Sequence, residues 1–327
     1  MKTTKLISLV LIALMLCTAF AACNQPDEPV HVPNIMVLNG TTGFGMAKLI
    51  SDKNHETTAY PYNISVETDA SNITAALISG NCDIAALPTN AAANVAQKTN
   101  GGIKVIAVNT LGVLYVMSNK DKQSIASFED LRGKTVYCPA QNPTFLFKAV
   151  CEANGLVVGQ DIVIDNTYAQ PADLRTALVS GVIDLAVLPE PMVTIAKSAN
   201  ASLAACLDLT AEWEKHFPKD SLMQGCVVVR TEYLEKNEKV VKKFLEEYKA
   251  SIEFVNQNPA EAGDMIVAAG IFAQAPVAAK AIPNSNICYI DGSQMKAGLE
   301  KFYDVLLKTA PASIGNALPA EDFYYVP

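Results

Sequence analysis

The sequence predicts an α/β protein of two similar lobes, and three observations support that prediction. A thirteen-residue pattern occurs twice, as ALISGNCDIAALP over residues 76–88 and as ALVSGVIDLAVLP over residues 177–189. Eight of the thirteen positions are identical, at an offset of 101 residues. Each copy has the residue types that end a helix, turn the chain and form a buried strand. The chain of 327 residues is also long enough for two domains.

The residue types of the repeated pattern explain this interpretation. Glycine just past a helix takes the left-handed conformation without a Cβ clash, so Ser-Gly marks the end of each helix. Residues 84–87 and 185–188 are continuous apolar runs, typical of strands covered on both faces. Proline then prevents further sheet pairing. Because open α/β sheets bind ligands beyond the carboxyl ends of their strands, we expect both copies to end at a cleft. Coincidence in a chain rich in Ala and Leu is the alternative.

The N-terminus has the pattern of an export signal. Two lysines precede an apolar run over residues 6–16, and small residues follow. Residues 1–22 are therefore predicted to be a signal peptide. Phe-Ala-Ala-Cys at residues 20–23 resembles a bacterial lipobox, with Phe where Leu is usual, in which Cys23 becomes the lipid-modified first residue. Ordinary cleavage before a free Cys23 is the alternative. Residues 23–33, with three prolines, predict an extended tether.

Composition excludes several classes of partner. Without the two lysines of the signal, the chain has 23 basic and 33 acidic residues, a formal charge of −10. This acidic balance argues against nucleic acid or an anionic membrane face as a partner. No internal segment has the roughly 18 uncharged apolar residues that predict a membrane span.

Six cysteines remain after Cys17 and Cys23 are set aside. They are Cys82, Cys138, Cys151, Cys206, Cys226 and Cys288. None forms a C-x-x-C pair, so neither a zinc site nor a thioredoxin-like site is predicted. Export permits disulfides. However, three of the six lie in or beside apolar strand patterns, where cysteine packs as a small hydrophobe, and this favours free buried thiols.

Lobe one is predicted to comprise residues 34–110 plus 232–327. Its elements are expected to be strands at 34–39, 62–66 and 103–108, helices at 46–52 and from Thr89-Asn90, and the helix and strand of the first repeat. Ser71 or Asn72 is expected to cap the repeat helix. The glycine-rich loop at 40–45 matches neither the P-loop nor the dinucleotide-binding pattern, so nucleotide binding is not predicted.

Lobe two is predicted to comprise residues 111–231. Asn142 as N-cap and Pro143 as the first helical residue predict a helix that ends near Gly155. A strand at 162–165 and the second repeat follow, then a polar helix at 211–217. The apolar run at 225–230 predicts a strand that pairs antiparallel with another strand at 111–118.

The chain is then expected to return to lobe one. Residues 232–256 form a long amphipathic pattern, with apolar side chains near helical spacing. Two further helices are predicted at 259–269 and 293–307. Two crossings between the lobes would allow a hinge that opens and closes over a ligand.

These segments together resemble a known family. The lipobox at Cys23, the DLRGK pattern within residues 127–134, the second repeat continued to Pro191, and the helix that ends at Asn258-Pro259 are similar to solute-binding lipoproteins of ABC importers. The group in question takes up sulfonates, nitrate and thiamine-pyrimidine precursors. The resemblance covers nearly all of the mature chain and is specific for the family, but not for a ligand.

The resemblance implies two Rossmann-like lobes of the type II periplasmic-binding-protein fold. It implies a lipid-anchored protein at the outer face of the cytoplasmic membrane, or a periplasmic one. Such a monomer captures a small molecule between its lobes and delivers it to a membrane permease driven by a separate ATPase.

Eleven side chains are candidates for the cleft by their position at predicted strand ends. They are Thr41, Thr42, Phe44, Thr89, Asn90, Gln141, Asn142, Thr144, Phe145, Tyr168 and Glu190. Each could instead be an ordinary loop or cap residue. Phe44 and Phe145 are the strongest, because an aromatic side chain at a glycine- or proline-marked loop could stack on a ligand ring.

Glu190 is the one side chain in this set that carries a charge at neutral pH. It could bond backbone N–H groups in a structural role. If it faces the ligand, it favours a cationic or hydrogen-donating solute over a bare anion. We therefore expect a neutral or heterocyclic solute, such as a thiamine-type pyrimidine, with a sulfonate as the alternative. The sulfonate stays the alternative because a helix N-terminus can bind an anion without a basic side chain.

Two other classes of function compete with import. An enzyme on the same fold is disfavoured, because none of His31, His55 and His216 falls at a strand end and no nucleophile–base or metal spacing occurs. Neither a cofactor nor a metal is predicted. A lipoprotein sensor that uses the same cleft to signal is the second rival, and only neighbouring genes, permease and ATPase or kinase, would separate it from an importer.

Overall fold

A computed structural model describes residues 31–326. The predicted signal peptide, Cys23 and most of the predicted tether lie outside the described residues. Of these, residues 32–326 belong to one compact unit. Among the described residues no helix is long and apolar enough to cross a membrane.

Eleven strands of the described chain form two sheets. The first sheet contains β1 (Asn34–Leu38), β2 (Asn63–Glu67), β3 (Ile84–Pro88), β4 (Ile103–Thr110), β10 (Gly225–Arg230) and β11 (Ile287–Ile290), in the order β11-β4-β10-β3-β1-β2. The second contains β5 (Leu114–Asn119), β6 (Thr135–Tyr137), β7 (Val163–Asp165), β8 (Leu185–Pro189) and β9 (Leu203–Asp208), in the order β7-β6-β8-β5-β9.

Five strands of the first sheet, all but β11, share one topology with the five strands of the second. In each, two βα crossovers give three parallel strands, β2-β1-β3 and β7-β6-β8. An antiparallel strand then follows, β10 in the first sheet and β5 in the second, and each is the strand by which the chain enters that sheet from the other. The prediction of two similar α/β lobes is therefore confirmed in architecture.

The predicted partner of β10 is wrong. β10 pairs antiparallel with β3 and β4, with Cys226 opposite Leu87 and Val108, and it does not pair with β5. The reason is that each crossing strand inserts beside the proline-ended strand of the lobe it enters. By its hydrogen bonds β10 belongs to the first sheet, although residues 225–230 fall within the predicted limits of lobe two. Those limits stay a prediction about which residues move together as one lobe.

Twelve α-helices of the described chain cover the sheets. They are α1 (Thr41–Phe44), α2 (Ala47–Asn54), α3 (Ala70–Ser79), α4 (Thr89–Lys98), α5 (Asn142–Ala153), α6 (Pro171–Val179), α7 (Met192–Ala199), α8 (Leu209–His216), α9 (Thr231–Gln257), α10 (Pro259–Ala268), α11 (Ala275–Ala281) and α12 (Gly292–Thr309). The long helix α9 buries Val240, Phe244, Tyr248, Ile252 and Val255, as its spacing predicts.

Two predicted helix starts are off by a few residues. Asp69, not Ser71 or Asn72, caps α3, and its carboxylate accepts the Ser71 N–H. Gln141 is the cap of α5, so Asn142 and Pro143 are its first helical residues. Asp is as good a cap as Ser or Asn, and several polar residues in a row leave the start undetermined by sequence.

The repeated pattern folds the same way twice. Gly80 and Gly181 have φ angles of 80° and 74°, in the left-handed region. The N–H groups of Asn81 and Val182 bond back to the carbonyls of Ala76 and Ala177, at 2.9 and 3.1 Å. The glycine turn thus ends α3 and α6 alike and directs the chain into β3 and β8.

Three apolar clusters fill the space between helices and sheets. One covers the outer face of the first sheet under α2, α9, α10 and α11, and one covers the outer face of the second sheet under α6 and α7. The third spans both sheets and includes α12, whose Phe302 lies 5.8 Å from Trp213 of α8 between ring centroids.

The six cysteines of the described chain are free thiols, as expected. Four are buried, and Cys206 and Cys288 are half-buried. Burial raises the pKa of the Cys82, Cys138 and Cys288 thiols to about 12. They therefore act as small apolar side chains.

Candidate functional site

A cavity of about 330 Å³ lies between the two lobes, at the carboxyl ends of strands from both sheets. Pro88 and Pro189, the last residues of the two repeats, both line it. The pattern that suggested a cleft therefore contributes the same residue to each side. This is the expected position for a ligand site in open α/β sheets.

Apolar side chains form much of the cavity wall, with a few polar groups among them. The first sheet and its connections contribute Leu38, Asn39, Gly40, Thr41, Thr42, Pro88, Thr110, Gln224 and Phe272. The crossing residue Val113 and the second sheet with its connections contribute Leu114, Asn142, Pro143, Pro171, Pro189, Glu190, Pro191 and Met192. Glu190 is the one ionisable side chain among these lining residues.

Glu190 is buried at the start of α7, only 3% exposed. Its carboxylate accepts the Thr194 N–H at 3.1 Å and the Thr194 hydroxyl at 3.0 Å. Its own N–H donates to the Val113 carbonyl, and its bond to Pro191 is cis. Burial raises the pKa of Glu190, while the bonds from Thr194 oppose that rise. Because each carboxylate oxygen has a further lone pair, the side chain can still accept a ligand donor.

The loop after β1 places Thr41 and Thr42 on the cavity wall. Gly40 begins it with a φ of 76°, a conformation that other residues adopt only with strain. A Cβ on Gly43 would lie 2.6 Å from the Leu38 carbonyl oxygen, so the short helix α1 can turn there only with glycine. The loop geometry therefore depends on glycine at both positions, at Gly40 for its backbone conformation and at Gly43 for space.

The interpretation of Phe44 as a stacking surface is wrong. The side chain is fully buried in the core beneath the first sheet. Phe272, from the segment between α10 and α11, lines the cavity instead, with its ring centroid 6.2 Å from that of Phe44. Phe44 therefore packs edge-on against Phe272 and does not itself face the cavity.

Asn142 also lines the cavity, from the first turn of α5. Its Oδ1 atom is buried and has no hydrogen-bond partner among the described residues. An unpaired buried acceptor is costly, so a ligand donor at this place would be favourable.

Three other candidates line a neighbouring interlobe hollow of about 390 Å³. Asn90, Gln141 and Phe145 face it, together with residues of α3 and α4. Gln141 and Asn142 are adjacent in sequence but face different hollows. The candidate set therefore divides between two spaces.

The remaining candidates have structural partners outside both hollows. The Thr89 hydroxyl is buried and donates to the Met223 carbonyl at 2.6 Å. The Thr144 hydroxyl donates to the Pro139 carbonyl at 2.7 Å. Tyr168 packs on Tyr137, with ring centroids 5.9 Å apart.

Sequence reasoning missed Phe272 and Gln224 for different reasons. Phe272 reaches the cavity through tertiary structure, where the Ile271 carbonyl accepts the Gly40 N–H at 3.3 Å. No local pattern announces that contact. Gln224 immediately precedes β10, and the wrong pairing predicted for β10 does not place that residue at the cleft. A correct pairing of β10 beside Pro88 would have placed it at the cleft.

Several solved structures share this architecture. An ABC transporter protein from Parabacteroides distasonis is 23% identical, with a TM-score of 0.74, covering 90% of this chain and 98% of that chain. The periplasmic aliphatic sulphonate binding protein SsuA of Escherichia coli is 15% identical, with a TM-score of 0.73, covering 92% and 93%. The alkanesulfonate-binding protein SsuA of Xanthomonas axonopodis pv. citri, bound to MOPS, is 14% identical, with a TM-score of 0.67, covering 92% and 99%. At these identities the likeness concerns the fold, and it confirms the predicted type II architecture.

No curated protein matches the chain. The sequence model described as NMT1/THI5 like matches residues 62–262, which includes both copies of the repeat and most of both sheets. The match covers more than half of the chain and agrees with the resemblance seen in its motifs. The chain belongs to the NMT1/THI5-like family.

Proposed function

We propose that this protein is an extracytoplasmic solute-binding protein that captures a small organic molecule between its lobes and delivers it to an ABC permease. The observation that carries the proposal is the cavity between Pro88 and Pro189, at strand ends of both sheets. A space of about 330 Å³ is in the range of small-ligand sites. The family match and the fold of the ABC-importer proteins above support the same conclusion.

The cavity chemistry favours a neutral or heterocyclic ligand that donates hydrogen bonds. Glu190 and Asn142 both offer acceptor oxygens, and no lysine or arginine is among the lining residues. The Glu190 carboxylate already bonds to the Thr194 N–H near the start of α7, so that helix end is unfavourable for an anion. Phe272 adds an aromatic surface. A thiamine-type aminopyrimidine fits these features better than an alkanesulfonate.

Calorimetry on the chain without residues 1–23 tests the ligand class. Partial unfolding and refolding first removes any small molecule that copurifies. We expect 4-amino-5-hydroxymethyl-2-methylpyrimidine to bind and an alkanesulfonate not to bind. Tight binding of the sulfonate with none of the pyrimidine would reject the ligand class while leaving solute capture intact. Binding of neither, with no copurifying molecule by mass spectrometry, would count against the function itself.

Two variants make this test specific to the cavity. Glu190→Gln keeps the shape but removes the carboxylate, and we expect about tenfold or greater loss of pyrimidine affinity, because a bond to a charged acceptor becomes a neutral one. Glu212→Gln is the matched control, since Glu212 is also buried but lies on α8 and pairs with Lys215. Equal affinities in both variants would exclude Glu190 as a ligand contact.

The proposal is binding rather than catalysis. The three histidines of the described chain are exposed and lie away from the cavity, at His31, at His55 after α2 and at His216 in α8. No cluster of three or more His, Cys, Asp or Glu side chains suited to a metal ion occurs within residues 31–326.

We also propose that Cys23 carries the lipid that holds the protein at the outer face of the membrane. The export signal, the lipobox and the proline-rich tether support this. Labelling cells with radioactive palmitate should mark the wild-type chain and not Cys23→Ala. A Cys206→Ala chain, changed at a half-buried thiol, is the control that should stay labelled.

A further inference from the structure

We propose that Gln224 is a positioning residue that connects the cavity to both interlobe crossings and fixes the angle between the lobes. The first crossing is the short segment from β4 to β5, which includes Val113. The second runs from α8 to β10, and Gln224 is its last residue. Gln224 also lines the cavity and is only 8% exposed. The inference rests on the proposed function in one respect only, because it assumes that solute capture involves movement of the lobes.

The hydrogen bonds of Gln224 join the two crossings. Its backbone N–H donates to the Thr110 carbonyl at 3.0 Å, at the end of β4. Its side-chain Oε1 accepts the Val113 N–H at 2.8 Å. Its carbonyl accepts the Thr89 N–H at 3.1 Å, at the start of α4. One residue of the second crossing thus holds both ends of the first.

The connection continues into the second lobe. The Val113 carbonyl accepts the N–H of Glu190, which lies on the opposite cavity wall, at 3.0 Å. A continuous path of bonds therefore leads from Thr89 through Gln224 and Val113 to Glu190. Every link in this path is backbone to backbone except the one made by the Gln224 side chain. That link is consequently the one that a substitution can remove.

The crossings are packed too closely to move independently. A Cβ on Gly112 would lie 2.0 Å from the Thr210 hydroxyl oxygen and 2.7 Å from Leu222 Cδ2. A Cβ on Gly225 would lie 2.6 Å from Asn109 Oδ1. Because these glycines lie directly against side chains on or beside the other crossing, and the Gln224 N–H bonds to the Thr110 carbonyl, a change of lobe angle must break or exchange contacts between the crossings. The Gln224 amide can exchange its bond by rotating its side chain, and a ligand in the cavity would touch the same side chain, because Gln224 lines it.

Amide hydrogen exchange on the purified chain without added ligand tests the assignment. In Gln224→Met, which keeps the length but not the acceptor, we expect the Val113 amide to exchange about tenfold faster. We expect Glu190 to follow, and the radius of gyration from X-ray scattering to rise as the lobes separate. Gln224→Glu keeps an acceptor oxygen and should restore slow exchange at Val113.

Gln123→Met is the matched control, because the Gln123 side chain bonds to the Asp184 carbonyl, away from the cavity. It should leave Val113 and the radius of gyration unchanged. If Gln224→Met does not fold, Gln224→Asn supplies the same comparison with an amide too short to reach Val113. Exchange at Val113 equal to wild type, acceleration spread evenly over the chain, or no rescue by Gln224→Glu would overturn the assignment. None of these results depends on a solute, so they leave the proposed function to its own test.

Discussion

The two copies of the repeated pattern differ in how they hold their shared aspartate. Asp83, before β3, is 2% exposed in its side chain and pairs with Arg230 at 2.9 Å, whose side chain is 21% exposed. Asp184, before β8, is 36% exposed and pairs with Lys122 at 2.7 Å, which is 49% exposed. In both copies the carbonyl of the aspartate accepts an N–H from the far end of the crossing strand, Arg230 in one and Asn119 in the other. The backbone hydrogen bonding of the two copies is therefore the same, and the two ion pairs differ in how deeply they are buried.

This difference shows that a repeated sequence can fix the same fold with unequal energies. Removing one partner of a buried pair leaves an uncompensated charge, whereas an exposed pair exchanges its partner for water. The first lobe should therefore depend on its aspartate and the second should not.

The largest effect is expected for Asp83→Asn. We expect the free energy of unfolding to fall by about 3 kcal/mol, the lower end for a broken buried pair, because Arg230 is partly exposed. Arg230 also keeps Glu232 at 3.4 Å. Urea-induced unfolding of the chain without residues 1–23 measures this. Adding Arg230→Gln to Asp83→Asn should recover part of the loss, because no charge then remains unpaired. A loss no greater than that of Asp184→Asn would show that burial is not the deciding difference.

A smaller and equal effect is expected for the glycines that end the two repeat helices. Gly80→Ala and Gly181→Ala should each lower the free energy of unfolding by about 1–2 kcal/mol, the cost of a left-handed conformation with a Cβ. Space does not distinguish the sites, since the nearest side-chain atoms to an added Cβ are at 3.5 and 4.0 Å. Ser79→Ala, one residue earlier on an exposed position, is the control. Losses that differ between the copies by more than about 1 kcal/mol would contradict a common turn.

The residue after the terminal proline is Thr89 for the first copy and Glu190 for the second. Only Glu190 titrates, so we expect it to make the free energy of unfolding depend on pH. Burial raises the pKa of Glu190 above its ordinary value of 4.5, so the folded chain binds its proton more tightly than the unfolded chain. Stability from this group is therefore greatest at low pH. It falls as pH rises from about 4.5 through the folded-state pKa, and stays low above it. Glu190→Gln lacks this penalty, so its stability relative to wild type should increase over that window. Urea unfolding between pH 4 and 8 measures it, with Glu212→Gln as control. Parallel pH profiles for wild type and Glu190→Gln would refute the prediction.

The sequence predicted the parts of the fold that depend on local chemistry. Helix-ending glycine, apolar strands and terminal proline recur in both copies, and their structures match closely. The spacing of the apolar residues of α9 predicted its buried face. The partner of β10 could not be predicted in this way, because an apolar strand such as Gly225–Arg230 fits beside any buried strand. Only the topology of the whole sheet decides its position.

The cavity residues show the same contrast between what local sequence predicts and what tertiary structure decides. Strand ends predicted where Thr41, Thr42, Asn142 and Glu190 would lie, because position after a strand is a local property. Whether a side chain points to the cavity or to the core depends on tertiary packing. Phe44, expected in the cleft, is therefore in the core, and Phe272, which no local pattern indicates, lines the cavity. Thr89 was placed correctly at its strand end, yet its hydroxyl is used by the second crossing, which sequence spacing cannot show.

The smallest effect is expected for Asp184→Asn, the exposed counterpart of Asp83→Asn. The free energy of unfolding should fall by about 0–1 kcal/mol at low salt, since both partners are hydrated when apart. The loss should vanish near 1 M NaCl, where charges are screened over about 3 Å. A double-mutant cycle with Lys122→Met, read by urea unfolding at both salt concentrations, isolates the pair from the bond between the Asp184 carbonyl and Asn119, which neither substitution removes. A coupling energy that persists in high salt would mean that Asp184 is held as firmly as Asp83, and the two lobes would then share their energetics as well as their backbone.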